Sequence, residues 1–212
     1  MWSCRGDFQS PAVNAAQICG RLEIAPAQQI YILWGVEMII KITQQNLKDI
    51  NKPNQSFTII GKIIPVFSDG AWSYSERIFE KEHEKEYLSD DEQWEDYIDN
   101  PDKTVFLFYD NTDCVGQIKL RKNWNKYAFI EDIAVAKNHR KDGVGTKLIS
   151  KAIEWAKSND LCGLMLETQD TNLLACRFYS KLGFQIGAVD TMLYANFDNA
   201  EEKAVFWYKK FT

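Results

Sequence analysis

Histidine is scarce in this chain: His83 and His139 are the only two in 212 residues, and neither has a second His or Cys at ligand spacing, so no metal site is expected. Cysteine pairing is equally thin. The five cysteines (Cys4, Cys19, Cys114, Cys162, Cys176) are odd in number and form no C-x-x-C motif, which points to a reduced, cytoplasmic compartment with the thiols serving as small apolar residues. Basic charge is lacking as well. A formal net charge of −5 and the absence of a basic stripe argue against nucleic acid as partner. No apolar run approaches the ~20 residues of a membrane span, so no membrane association is expected. Repeats and low-complexity tracts are missing too.

What remains is a chain with 45% hydrophobic and 13% aromatic residues, enough for one well-packed domain and short for two. Residues 1–37 are aperiodic and carry no basic segment followed by an apolar one, so they do not resemble a secretory signal. The shift in composition at Met38 predicts a single domain over 38–212, preceded by a non-native or disordered extension over 1–37. Charge is uneven within the domain. From Glu76 to Asp102 there are twelve acidic residues against three basic ones.

After Met38 the run IIKIT reads as a strand, followed by a short helical segment at Asn46–Ile50. Phe57–Phe79 forms two apolar arms around Ser68-Asp69-Gly70, a hairpin signal. Trp94, Tyr97 and Ile98 are spaced as one face of a short helix. Thr104–Tyr109 and Val115–Leu120 flank Asn111-Thr112-Asp113, a second hairpin. The next strand begins at Tyr127. Past it, Leu148, Ile149, Ala152, Ile153 and Ala156 recur at helical spacing. Leu161–Thr168 is a further strand, and strand, helix, strand in this order predicts a parallel crossover. Asn172–Leu182 is a second helix stopped by Gly183, and strands at Gln185–Tyr194 and Lys203–Lys209 close the chain.

The stretch YAFIEDIAVAKNHRKDGVG, Tyr127–Gly145, carries the chemistry. Its last six residues, Arg140, Lys141, Asp142, Gly143, Val144 and Gly145, make an R-x-x-G-x-G run between a strand and a helix start. Two glycines at that spacing let backbone N–H groups turn toward an anion, and the helix adds the positive end of its dipole. This is a pyrophosphate cradle.

Together with Asn172-Leu173-Leu174-Ala175-Cys176-Arg177-Phe178-Tyr179, ending in Gly183-Phe184, this loop resembles the acetyl-CoA-binding core of the GNAT acyltransferase superfamily. The stretches LRKNWNKYAFIEDIAV, GLMLETQDTN, VDTMLYANF and AVFWY are similar to the streptothricin (nourseothricin) acetyltransferases within it. One departure is Lys141, a position often occupied by Gly in relatives. The resemblance implies an α/β protein of the GNAT fold, with a mixed central sheet of about six to seven strands flanked by helices. It also implies acetyl transfer from acetyl-CoA to a primary amine by direct attack, without a covalent enzyme intermediate.

On that resemblance, the backbone of Ile133, Ala134 and Val135 pairs with the pantetheine arm as an added strand. The N–H groups from Arg140 to Thr146 hold the pyrophosphate, and Asn172, Ala175 and Tyr179 contact the cofactor from the second helix. Tyr179 is the general acid for the departing thiolate. The general base is Glu167, then Glu131, with Asp132 or an ordered water as further choices; strand alternation predicts that only one of Glu131 and Asp132 faces the site. Glu131, Asp132, Glu167 and Trp94 are candidate contacts to a small cationic antibiotic bearing a β-lysine amine. The acidic segment would attract such a polycation, with Trp94 and Tyr97 adding cation–π contacts. Another polyamine, an aminoglycoside or a protein amine is the alternative acceptor, and a non-catalytic acyl-CoA sensor is the alternative class. The aromatic strand AVFWY either supports a homodimer or is buried within the sheet.

Overall fold

The computed structural model describes residues 37–86 and 93–211. The extension predicted over 1–37 lies outside the described residues except for Glu37, as do Asp90, Asp91 and Glu92 of the acidic segment. Seven strands build one mixed sheet: β1 (Glu37–Lys41), β4 (Lys103–Asp110), β5 (Asp113–Lys122), β6 (Tyr127–Val135), β7 (Gly163–Gln169), β8 (Gln185–Asp190) and β9 (Ala204–Lys210). Their spatial order is β1-β4-β5-β6-β7-β9-β8. Every neighbouring pair is antiparallel except β6–β7, which is parallel and joined by helix α1 (Val144–Ser158). The seven strands agree with the expected sheet.

Helix α1 buries Val144, Leu148, Ile149, Ala152 and Ala156, the stripe that its spacing predicts. These pack on Phe106, Phe108, Ile118, Leu120, Ile130, Leu164 and Leu166, all buried in the same core. Each fully buried Leu or Ile there stabilises the fold by roughly 1.5–3 kcal/mol relative to exposure. Helix α2 (Leu173–Lys181) adds Leu173, Cys176 and Tyr179 to this core. On the opposite face of β4 and β5, Val105, Leu107, Tyr109 and Cys114 form a second cluster with Ile42 and Tyr97.

The remaining strands, β2 (Phe57–Ser68) and β3 (Ala71–Lys85), form a separate hairpin. Asp69 and Gly70 both take positive φ at its turn, as the D-G signal requires. The hairpin docks beside α2. Gly61 bridges to Asn172, the Ile63 N–H donates to the Asp170 carbonyl, and the Arg177 guanidinium forks onto Glu76. A Cβ at Gly61 would sit 2.3 Å from the Arg77 carbonyl oxygen, so only glycine fits that bulge.

Four expectations change. Asn46–Ile50 contracts to a 3-10 turn at Leu47–Asp49, and the Trp94 segment is likewise a 3-10 turn, Trp94–Tyr97. Strand β3 runs on to Lys85, so Glu80, Glu82 and Glu84 lie on the hairpin. The strand expected to reach Tyr194 stops at Asp190, because the Asp190 carboxylate accepts from the N–H groups of Met192 and Leu193 and turns the chain. Strand β9, which carries AVFWY, lies between β7 and β8, with Val205 and Trp207 fully buried.

Candidate active site

The glycine loop delivers an uncapped helix start. Gly143 occupies the N-cap of α1 at φ 86°, a left-handed conformation, and no side chain caps the helix. The N–H groups of Val144, Gly145 and Thr146 therefore have no partner within the helix, the first intrahelical bond being Lys147 N–H to the Gly143 carbonyl. Lys141 also sits at positive φ, 75°, which explains why glycine suits this position. Lys141, Asp142 and Thr146 are exposed. Gly145 has a different reason to be small: a Cβ there would lie 3.1 Å from the Phe178 ring of α2. Arg140 turns back instead of outward. Its Nε donates to the Val135 carbonyl and a terminal nitrogen to the Gln55 carbonyl, so its side chain fastens the loop to β6.

Strand β6 has one used edge and one open one. It pairs with β7 only from Tyr127 to Ile130, opposite Gly163 to Leu166. Beyond that point, among the described residues, β7 pairs with β9 alone and residues 132–135 pair with β5 alone. The Ala136 N–H donates to the Val115 carbonyl. By antiparallel alternation Ala134 then directs its backbone groups to β5, while Ile133 and Val135 direct theirs to the open side. Of the three residues expected to pair with pantetheine, Ile133 offers both groups. Val135 offers its N–H, its carbonyl being held by Arg140, and Ala134 offers neither.

A bulge decides where the carboxylates point. Lys119 pairs with Asp132 but the adjacent Leu120 pairs with Ile130, so Glu131 is an extra residue. The Asp132 carboxylate accepts from Gln117 Nε2 at 2.6 Å, and the Glu131 carboxylate from Arg121 Nε and the Tyr97 hydroxyl, both at 2.9 Å. Gln117, Lys119 and Arg121 alternate with the core residues Ile118 and Leu120, so they share the face away from α1. Both carboxylates therefore lie on one face, and the expectation that only one does is corrected: the bulge breaks the alternation. Glu167 joins them. It alternates with Leu164 and Leu166, which face α1, and so projects from the same opposite face. Burial raises its carboxyl above the ordinary range, while the Tyr194 hydroxyl, donating to its Oε1, pulls it back down.

On α2, Asn172 is the N-cap and its side-chain oxygen accepts from the Ala175 N–H at 3.3 Å, so these two residues are engaged with each other. Tyr179 is buried, its ring 5.4 Å from that of Phe178, 5.7 Å from Phe184 and 6.3 Å from Trp207. Trp94 stands apart from this group. The ammonium of Lys119 lies over its ring at 5.1 Å, and over that of Tyr97 at the same distance, while Lys103 also covers Tyr97. The cation–π partners that the structure shows for both aromatics are thus the protein's own lysines. The acidic segment is similarly engaged in part, Glu76 with Arg177, Glu84 with Lys137 and Asp96 with Lys103.

Sequence reasoning missed Gln117, Arg121 and Tyr194, the groups that hold the three carboxylates. For the first two the available signal was polar residues alternating within an apolar strand. For Tyr194 it was Asp190, a turn former inside what read as a strand.

The sequence profile of the Acetyltransferase (GNAT) family matches residues 69–184. The chain is 57% identical to streptothricin acetyltransferase A of Bacillus subtilis (strain 168) over 174 residues, 82% of this chain and all of that protein. Among solved structures, one from Bacillus anthracis str. Ames, assigned as a streptothricin acetyltransferase and crystallised with acetyl coenzyme A, superposes with a TM-score of 0.78. It has 34% identity and covers 83% of this chain and 100% of its own. A nourseothricin acetyltransferase superposes with a TM-score of 0.70 at 25% identity, over 82% of this chain and 98% of that one.

Proposed function

Because the chain belongs to the GNAT acetyltransferase family, we propose that it moves the acetyl group of acetyl-CoA onto the β-lysine amine of streptothricin-class antibiotics, in the cytoplasm, and so confers resistance to them. Full-length alignment with a relative named for this acceptor supports the choice of substrate. The observation that carries the reading is the parting of β6 from β7: it sets an open backbone edge beside three carboxylates on one face.

In this reading the pyrophosphate sits on the N–H groups of Val144, Gly145 and Thr146, where the helix dipole favours negative charge. The pantetheine arm pairs with Ile133 and with the N–H of Val135 as one more strand. The acceptor ammonium is drawn to the carboxylate face. Glu167 takes its proton: Tyr194 engages only its Oε1, whereas both oxygens of Glu131 are engaged, by Arg121 and by Tyr97. A carboxyl raised by burial is a stronger base than an ordinary one, which suits an amine of pKa ~10.4. The neutral amine attacks the thioester carbonyl, the C–N bond forms, and the C–S bond breaks with its electron pair leaving on sulfur. Tyr179 donates a proton to that thiolate, and solvent restores both groups.

The test is thiol release from acetyl-CoA in the presence of streptothricin, aminoglycosides, spermidine and lysine peptides in turn. Release with streptothricin at a kcat/KM at least about 10⁴ M⁻¹s⁻¹, in the range usual for enzymes, is expected. Release with none of them would leave acyl-CoA binding without turnover; release with another amine alone would reassign the acceptor.

A further inference from the structure

Between β8 and β9 the chain makes a run of turns, residues 191–202, that crosses back toward the carboxylate face. Both ends are pinned by acids. Asp190 accepts from Met192 and Leu193 at 2.7 and 3.0 Å. Glu202 accepts from Lys85 of the hairpin, from Thr171 before α2 and from Asn199, each at 2.7 Å. Between these anchors Tyr194 is half-buried, flanked by exposed Met192, Leu193 and Phe197. Its hydroxyl donates to Glu167 Oε1.

Resting on the reading of Glu167 as the base, we propose that Tyr194 is a positioning residue: its hydroxyl holds one carboxylate oxygen of Glu167, leaving the other oriented toward the acceptor amine. Strand β7 alone does not provide this, because Glu167 lies opposite apolar Phe206 on β9 and has no ladder neighbour on its β6 side. The charged or titratable groups acting on Glu167 are Tyr194 and Glu202, with Glu131 and Asp132 on the same face of β6 and Tyr208 farther along β9. Only Tyr194 among them donates to it in a hydrogen bond that favours the ionised form; Glu202 acts in the opposite sense.

The sign follows. Glu167 works as a base when ionised, so losing the donor raises its pKa and reduces the active fraction at any pH below that pKa. In Tyr194→Phe the acid limb of kcat is expected to move up by about one pH unit, a roughly tenfold loss of rate on that limb, with activity recovering at high pH. The KM for acetyl-CoA should stay within about twofold, because the groups assigned to the cofactor are backbone groups of the loop and of Ile133 and Val135, which the substitution leaves in place. The substitution removes one oxygen from a half-buried side chain, and thermal melting checks that the fold persists. Glu167→Gln is measured alongside, and carbon-13 NMR titration of the Glu167 carboxyl in wild type and Tyr194→Phe reads the same shift without turnover. If Glu167→Gln is inactive while Tyr194→Phe leaves both the profile and the titration in place, the positioning role is wrong and the base assignment stands. If Glu167→Gln keeps wild-type activity, the base assignment itself is wrong and the proposal goes with it.

Discussion

The ring of Tyr179 is fixed by Phe178, Phe184 and Trp207, so Tyr179→Phe removes one oxygen while the aromatic packing stays. If that oxygen supplies the proton to the departing thiolate, kcat should fall by about 10²–10⁴-fold, the usual worth of one general acid. Acetyl-CoA affinity, measured by calorimetry, should change by less than about threefold, since the cradle and the β6 edge are untouched. A purely structural tyrosine gives the reverse: a lowered melting point with kcat retained. Lys141 makes a related point about single residues. It takes a φ of 75° where a left-handed backbone costs a side chain roughly 1–2 kcal/mol, and it does so on an exposed loop whose N–H groups, not side chains, are the ones proposed to meet the anion.

At the scale of elements, the two glycines of the loop do different work, which a mutant cycle separates. Gly143→Ala strains a left-handed N-cap in open space, whereas Gly145→Ala presses a methyl group onto the Phe178 ring at 3.1 Å. Each should cost about 1–3 kcal/mol of stability by denaturant melts. Combining each with Phe178→Leu should relieve the Gly145 change by about 1 kcal/mol and leave the Gly143 change additive. Equal coupling for both would mean that α1 and α2 do not meet through Gly145. The R-x-x-G-x-G run, the stripe of α1 and the strand–helix–strand order were legible because each repeats a local rule within a few residues. The bulge at Glu131 was not. A bulge is one residue too many relative to a partner strand, and a single strand read alone still alternates. The end of β8 was hidden for a related reason, since Val189 to Tyr194 looks extended until the Asp190 carboxylate captures two N–H groups ahead of it.

For the whole molecule the question is how a net charge of −5 is distributed around the site. The sequence suggested an acidic rim from Glu76 to Asp102, but several of those acids are matched by Arg177, Lys137, Lys103 and Lys122, and the nearby aromatics are covered by Lys119 and Lys103. Such contacts between segments distant in sequence are what composition cannot reveal. Part of the attraction for a polycation then comes from Glu131, Asp132 and Glu167, of which Glu131 is shared with Arg121 and Lys119. Electrostatic attraction of this kind acts before chemistry and is screened, the Debye length falling from about 10 Å at 0.1 M salt to 3 Å at 1 M. The KM for a polycationic acceptor is therefore expected to rise by roughly three- to tenfold between 0.05 and 0.5 M salt, with kcat nearly constant. Asp132→Asn should flatten that dependence, because it deletes one of the three charges while Asn still presents an oxygen to Gln117. A KM indifferent to salt in the wild-type enzyme would show that shape and hydrogen bonding, not charge, select the acceptor.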